Sequence, residues 1–208
     1  MAIKTMMQDS EGNTDYLWKE FKRGNQLAFA SIYNLYVDRL FIYGSKLTPD
    51  RELVKDCIQE VFFDLYNKRH SLSDTDNIRY YLLKSLKNTL LRKIQRERRI
   101  IELNKKTTSD FNIEYSFEKK IIENEIEEEK KLLVKTILAD LNDKQKEILF
   151  LRFMQGLSYS EISEIVDIAS DSVKKQVYRT VKKIRKSLGA KTNMIFYLFF
   201  NLQKVSTF

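Results

Sequence analysis

The stretch from Leu157 to Leu188, LSYSEISEIVDIASDSVKKQVYRTVKKIRKSL, decides how the rest of the chain is read. It divides into a short helix, a tight turn and a longer helix carrying most of the charge. Ser158 is a good N-cap, and Glu161 three residues on completes a capping box, so a helix starts there. Ile162, Ile165 and Val166 repeat at helical spacing and give it one apolar face. After a break at Asp167–Ala169, Ser170, Asp171 and Ser172 offer capping oxygens to the next helix. Val173, Val177, Val181, Ile184 and Leu188 form one stripe along it. Its other faces carry Lys174, Lys175, Arg179, Lys182, Lys183, Arg185 and Lys186, seven cations with no acid after Asp171. A helix that buries one stripe and shows that charge is suited to a polyanion. The pattern predicts a helix-turn-helix. Ser170, Ser172, Lys174, Lys175, Tyr178 and Arg179 are its candidates for the major groove. Lys182 and Lys183 are candidates for the phosphate backbone.

Composition agrees with a helical chain. One proline and five glycines in 208 residues leave few helix breakers. A net charge of +8 favours an anionic partner, nucleic acid or an acidic membrane surface. Cys57 is the one cysteine and His70 the one histidine, so no internal disulfide can form and a reducing compartment is expected. The same scarcity argues against a metal site, a cofactor and a His-dependent nucleophile, so no enzyme is expected. The opening residues lack the apolar core of a signal peptide, which points to a cytoplasmic location. Near the other end Met194 to Phe200 is strongly apolar but far short of the roughly 20 residues needed to span a bilayer. A segment docked on the second domain, or covered by a partner, is the better reading.

In chain order, Asp15 to Arg23 reads as a short helix with Tyr16, Leu17 and Phe21 inward. Gln26 to Leu47 continues as a longer one. Thr48–Pro49–Asp50 is a start signal with Thr48 as cap and Pro49 at the first helical position. The helix it opens is expected to bury Leu53, Cys57, Val61 and Leu65 and to align Asp56, Gln59, Glu60 and Phe63 on another face. After a polar loop, Ile78 to Arg99 forms one long helix. Its later part, from Lys84 on, holds seven cations against Glu97, and rings followed by charge suit unpaired DNA. From Asp110 to Glu129 the charge reverses, with eight acids against Lys119 and Lys120. An acidic stretch between basic ones separates two lobes. Asn142 and Gln145 form a second capping box, and Gly156 is a natural helix stop.

Four segments in order resemble the sigma-70 family of RNA polymerase factors, in particular its extracytoplasmic-function group. They are GNQLAFASIY (Gly24 to Tyr33), DCIQEVFFDLY (Asp56 to Tyr66), YLLKSLKN (Tyr81 to Asn88), and the pair LSYSEISEIVDI and SVKKQVYR within Leu157 to Arg179. The resemblance implies an all-α fold of two small helical domains. These are a sigma region 2-like domain over 15–99 and a region 4-like helix-turn-helix domain over 131–190, with an acidic linker over 100–130 and an apolar tail over 191–208. It also implies that Asp56, Gln59, Glu60 and Phe63 meet the clamp helices of core RNA polymerase. Arg69, Ser71, Ser73, Asn77, Tyr81, Lys84, Asn88 and Arg92 would face the minus-ten promoter element. The basic helix of the second domain would read the minus-thirty-five element, and an anti-sigma protein, commonly membrane-linked, is an expected partner.

Three departures stand out. Asp167 replaces the usual turn glycine, Ala169 replaces the usual capping serine (moving the cap to Ser170 or Asp171), and Arg92 stands where an acid is common. The competing reading is a self-sufficient helix-turn-helix regulator that binds duplex operators as a dimer. It leaves Asp56–Tyr66 and Tyr80–Arg99 without a role.

Overall fold

In a computed structural model of the chain, residues 14–72, 77–104 and 139–188 are described. Their regular structure is all helical, with no strand among them. The chain divides into two compact units, one up to Ser116 and one from Phe117. The first holds α1 (14–22), α2 (Gln26–Leu47), α3 (Arg51–Asn67) and α4 (Ile78–Asn104). The second holds α5 (Asp143–Leu149), a π-helical turn (Phe150–Met154), α6 (Tyr159–Val166) and α7 (Ser170–Leu188). Of the expected linker, residues 100–104 belong to α4 and residues 105–130 lie outside the described residues, as does the apolar tail.

The first unit is a bundle in which α2, α3 and α4 pack on one another. Asn25 caps α2, its Oδ1 accepting from the Leu27 and Ala28 amides at 2.9 and 3.3 Å. The start of α3 lies two residues later than the proline signal predicts. Asp50 is the cap, accepting from the Leu53 amide at 2.9 Å, while the Thr48 hydroxyl accepts from the Asp50 amide. Pro49 therefore precedes the cap, where its fixed φ still directs the entering chain. The buried face of α3 is Val54, Cys57, Ile58, Val61, Phe62 and Leu65; Leu53 is only half-buried.

On α1 the inward residues are Trp18 and Phe21, whereas Tyr16 points to solvent. Trp18 lies 5.5 Å from Phe21 and 5.9 Å from Tyr81, ring centre to ring centre, and Phe21 stacks on Phe29 at 5.7 Å. Phe29 in turn meets Phe62 and Tyr66. This chain of rings ties α1 to all three long helices, and each such contact is worth about 0.5–1.5 kcal/mol beyond burial.

Gly44 is where α2 comes closest to its neighbours. A Cβ there would stand 2.6 Å from Val54 Cγ1 and 3.5 Å from Leu86 Cδ2. The missing side chain is what lets α2 approach α3 and α4.

In the second unit both predicted capping boxes form. Asn142 Oδ1 accepts from the Gln145 amide at 2.8 Å while Gln145 Oε1 accepts from the Asn142 amide at 3.1 Å. Ser158 and Glu161 exchange the same pair at 3.2 and 2.7 Å. Between them the chain widens into the π turn, closed by Gln155 N–H to the Phe150 carbonyl at 3.1 Å. Gly156, at φ 69°, then reverses it. Arg152 fastens this turn to the next helix, donating to the Leu157 carbonyl at 2.7 Å with its guanidinium 4.6 Å from the Tyr159 ring centre.

Asp167 takes the left-handed conformation that glycine would take, φ 52° and ψ 59°. The cap of α7 does not move: the Ala169 carbonyl accepts from the Ser172 and Val173 amides, so Ala169 holds the cap position and Ser170 is the first helical residue. The buried stripe of α7 is Val173, Val177, Thr180 and Ile184, with Val181 half-buried at its edge.

Three stability outcomes test these contacts. Gly44→Ala gains up to about 1 kcal/mol of helix propensity but meets an overpacking cost of about 1–3 kcal/mol, so thermal melting should shift down. The double variant Gly44→Ala/Val54→Ala should be more stable than the two single losses added together, because the clash is between those residues. Asp167→Gly should raise the stability of the second unit by about 0.5–1 kcal/mol, read as slower amide hydrogen exchange in α6 and α7.

Candidate polymerase and promoter surfaces

The outer face of α3 follows from its buried one. Residues at i, i+3, i+4 and i+7 share a helix face, so Asp56, Gln59, Glu60 and Phe63 line up opposite the buried set. Asp56 and Gln59 are exposed, and Phe63 keeps 68% of its surface in water, unusual for a phenylalanine. Glu60 is different. Its carboxylate is half-buried and engaged by two cations of α4, Arg92 Nη2 to Oε1 at 2.5 Å and Lys93 Nζ to Oε2 at 2.9 Å. The hydrogen bond to Glu60 holds the Lys93 ammonium above the usual lysine range, while burial raises the neighbouring Cys57 thiol.

The residues expected to face the minus-ten element fall into two groups. Arg69, Ser71 and Asn77 use their polar atoms on helix ends. Arg69 donates to the Tyr66 carbonyl at 2.8 Å with its guanidinium 4.5 Å over the Tyr66 ring, and Ser71 donates to the Lys68 carbonyl. Asn77 accepts from the Tyr80 amide and starts α4. Ser73, in the same segment, lies outside the described residues. Tyr81, Lys84, Asn88 and Arg92 share one face of α4 by spacing. Along it Tyr81 is half-buried against Trp18, Lys84 donates to the Tyr80 hydroxyl at 2.9 Å, and Asn88 is exposed. Composition could not reveal that Arg92 and Lys93 reach Glu60, because the partners are 32 residues apart in sequence.

On α7 every candidate is exposed: Ser170, Ser172, Lys174, Lys175, Tyr178, Arg179, Lys182 and Lys183. Tyr178, 70% exposed, stands among the cations as a ring free to meet a base or a thymine methyl. Lys183 donates to the Asp140 carbonyl at 2.6 Å, so it also anchors α7 to the segment before α5. Among the described residues no cluster of His, Cys, Asp and Glu could hold a metal, and no helix is long and apolar enough to cross a membrane.

Comparison with known proteins agrees with this geometry. The Sigma-70 region 2 family model matches residues 32–100, from within α2 to within α4, and the Sigma-70 region 4 model matches residues 131–184. The ECF RNA polymerase sigma factor SigM of Bacillus subtilis is 23% identical over 154 residues, 74% of this chain and 91% of that protein. SigW of the same organism is 23% identical over 177 residues, 82% of this chain and 94% of its own length. Among solved structures, the sigma factor RpoE of Bartonella quintana, in complex with the anti-sigma factor NepR, matches with a TM-score of 0.55 at 18% identity, covering 78% of this chain and 97% of RpoE. CnrH, in complex with the cytosolic domain of CnrY, matches at 0.52 and 19%, covering 85% and 97%. Both family regions, in order, on one chain that aligns with these factors over most of its length place it in the sigma-70 family, in its extracytoplasmic-function group.

Proposed function

We propose that this chain binds core RNA polymerase through the outer face of α3 and directs it to promoters through α4 and α7. The observation that carries this reading is the exposed phenylalanine: Phe63, flanked by Asp56 and Gln59, is an apolar anchor on a polar face, the arrangement a protein partner needs. The exposed Asp56 carboxylate on the same face disfavours a phosphate backbone there. The face Tyr81, Lys84, Asn88 and Arg92 on α4 meets the minus-ten element, with Arg69, Ser71, Ser73 and Asn77 shaping the loop before it. On α7, Ser170, Ser172, Lys174, Lys175, Tyr178 and Arg179 read the minus-thirty-five element, while Lys182 and Lys183 hold phosphates. The domains run 15–99 and 131–190 about the acidic linker.

The factor carries out no covalent chemistry; it lends specificity to the polymerase and works in the cytoplasm. Because RpoE and CnrH were solved with an anti-sigma factor and with a cytosolic domain respectively, an anti-sigma partner is part of the proposal. A dimeric operator-binding regulator would leave the α3 face unused.

Transcription with bacterial core polymerase on a promoter library should yield RNA from defined start sites only when the chain is added. In gel shifts the chain alone should bind duplex promoters weakly; tight binding without polymerase would favour the regulator. Arg179→Ala should weaken minus-thirty-five binding by about 1–3 kcal/mol and relax preference at one base position. An equal loss on every sequence would reassign Arg179 to a phosphate.

A further inference from the structure

Glu60 sits in the middle of the α3 outer face, yet its charge is already committed. Both carboxylate oxygens are taken, one by Arg92 at 2.5 Å and one by Lys93 at 2.9 Å. The two cations are not equivalent. The Arg92 side chain is 65% exposed and covers the carboxylate from the solvent side, whereas Lys93 is 32% exposed and lies next to Cys57. Asp56, one turn earlier, acts on Lys93 through space, and among the described residues its carboxylate makes no hydrogen bond or ion pair. Of the two acids on this face, then, only Asp56 presents a carboxylate that no side chain holds.

A basic partner group approaching Glu60 would meet a neutralised carboxylate with a guanidinium in front of it. Like charges at hydrogen-bond distance repel, so the partner must displace Arg92 or leave Glu60 aside. Accepting the α3 face as the polymerase surface, as read above, we propose that Arg92 competes with core RNA polymerase for the Glu60 carboxylate, with Lys93 in support. The free chain thereby carries its own brake on polymerase capture. An exposed ion pair is a modest contact, so the brake is a matter of a few-fold and sets an affinity without blocking binding.

Equilibrium titration of the full chain with bacterial core polymerase tests this directly. Arg92→Ala and Arg92→Gln should each tighten binding about two- to fivefold. Glu60→Gln should weaken it, and in the Glu60→Gln background the Arg92 substitutions should have no effect. Thermal melting of each variant confirms that it is folded. If the Arg92 variants bind equally or more weakly while Glu60→Gln weakens binding, the brake is refuted and the α3 face stands. Tightening that persists in the Glu60→Gln background also refutes it, because the gain would not pass through that carboxylate. If Glu60→Gln and Gln59→Ala/Phe63→Ala all leave affinity unchanged, the polymerase face itself falls and the brake with it.

Discussion

Burying one apolar stripe per helix fixes the rotation of that helix about its own axis, and the exposed charges of α3 and α7 follow from that constraint. On α7, Val173, Val177, Thr180 and Ile184 face inward, so Lys174, Lys175, Tyr178, Arg179 and Lys182 have no position except toward solvent. On α3 the buried Val54, Ile58, Val61, Phe62 and Leu65 turn Asp56, Gln59 and Phe63 outward in the same way. Rolling either helix by one position would bury a charge or expose a valine, each costing more than any surface contact returns. The recognition faces are thus set by the cores.

The two units meet this constraint differently. The first uses large side chains: Trp18, Phe21, Phe29 and Phe62 interlock, and Gly44 removes the one side chain that would keep α2 away from α3. The second is smaller and relies on local hydrogen bonding, with two capping boxes, a π turn fastened by Arg152, and Asp167 in the left-handed conformation. A short stripe of valines and one isoleucine on α7 suffices because the turns already fix the path of the chain.

That difference explains what could be read in the sequence. Capping boxes are encoded within four residues, so Asn142–Gln145 and Ser158–Glu161 were legible, as were the stripe and cations of α7. The turn at Asp167 could be read because aspartate tolerates a positive φ. Contacts between distant segments left no such trace. Nothing local distinguishes Trp18 as inward and Tyr16 as outward, or marks Gly44 as the close approach to Val54. Thr180 interrupts the valine pattern yet is buried, since a threonine can share a stripe when its neighbours are branched. The shift of the α3 cap from Thr48 to Asp50 reflects two competing oxygens two residues apart, and the aspartate holds the amide. The pairing of Glu60 with Arg92 joins two motifs that are read separately, and only packing of α3 on α4 brings them together.

Charge placement then explains why neither unit is expected to act as a complete binder. The cations of α7 give affinity for any phosphate backbone, and that affinity falls steeply with salt and discriminates little. Few side chains on one helix reach base edges, so the discrimination one unit supplies is limited to a few base pairs at about 1–3 kcal/mol each. Joining a second reader by a tether converts the second encounter into an intramolecular one, which multiplies affinity without a new contact. On the proposed reading an acidic tether would suit that task, because like charges keep it from the phosphates the two basic faces require. On the proposed reading, a polymerase held at Phe63 and Asp56 would supply the remaining constraint: it would fix the distance between readers, so that only promoters with both elements at that spacing engage both at once.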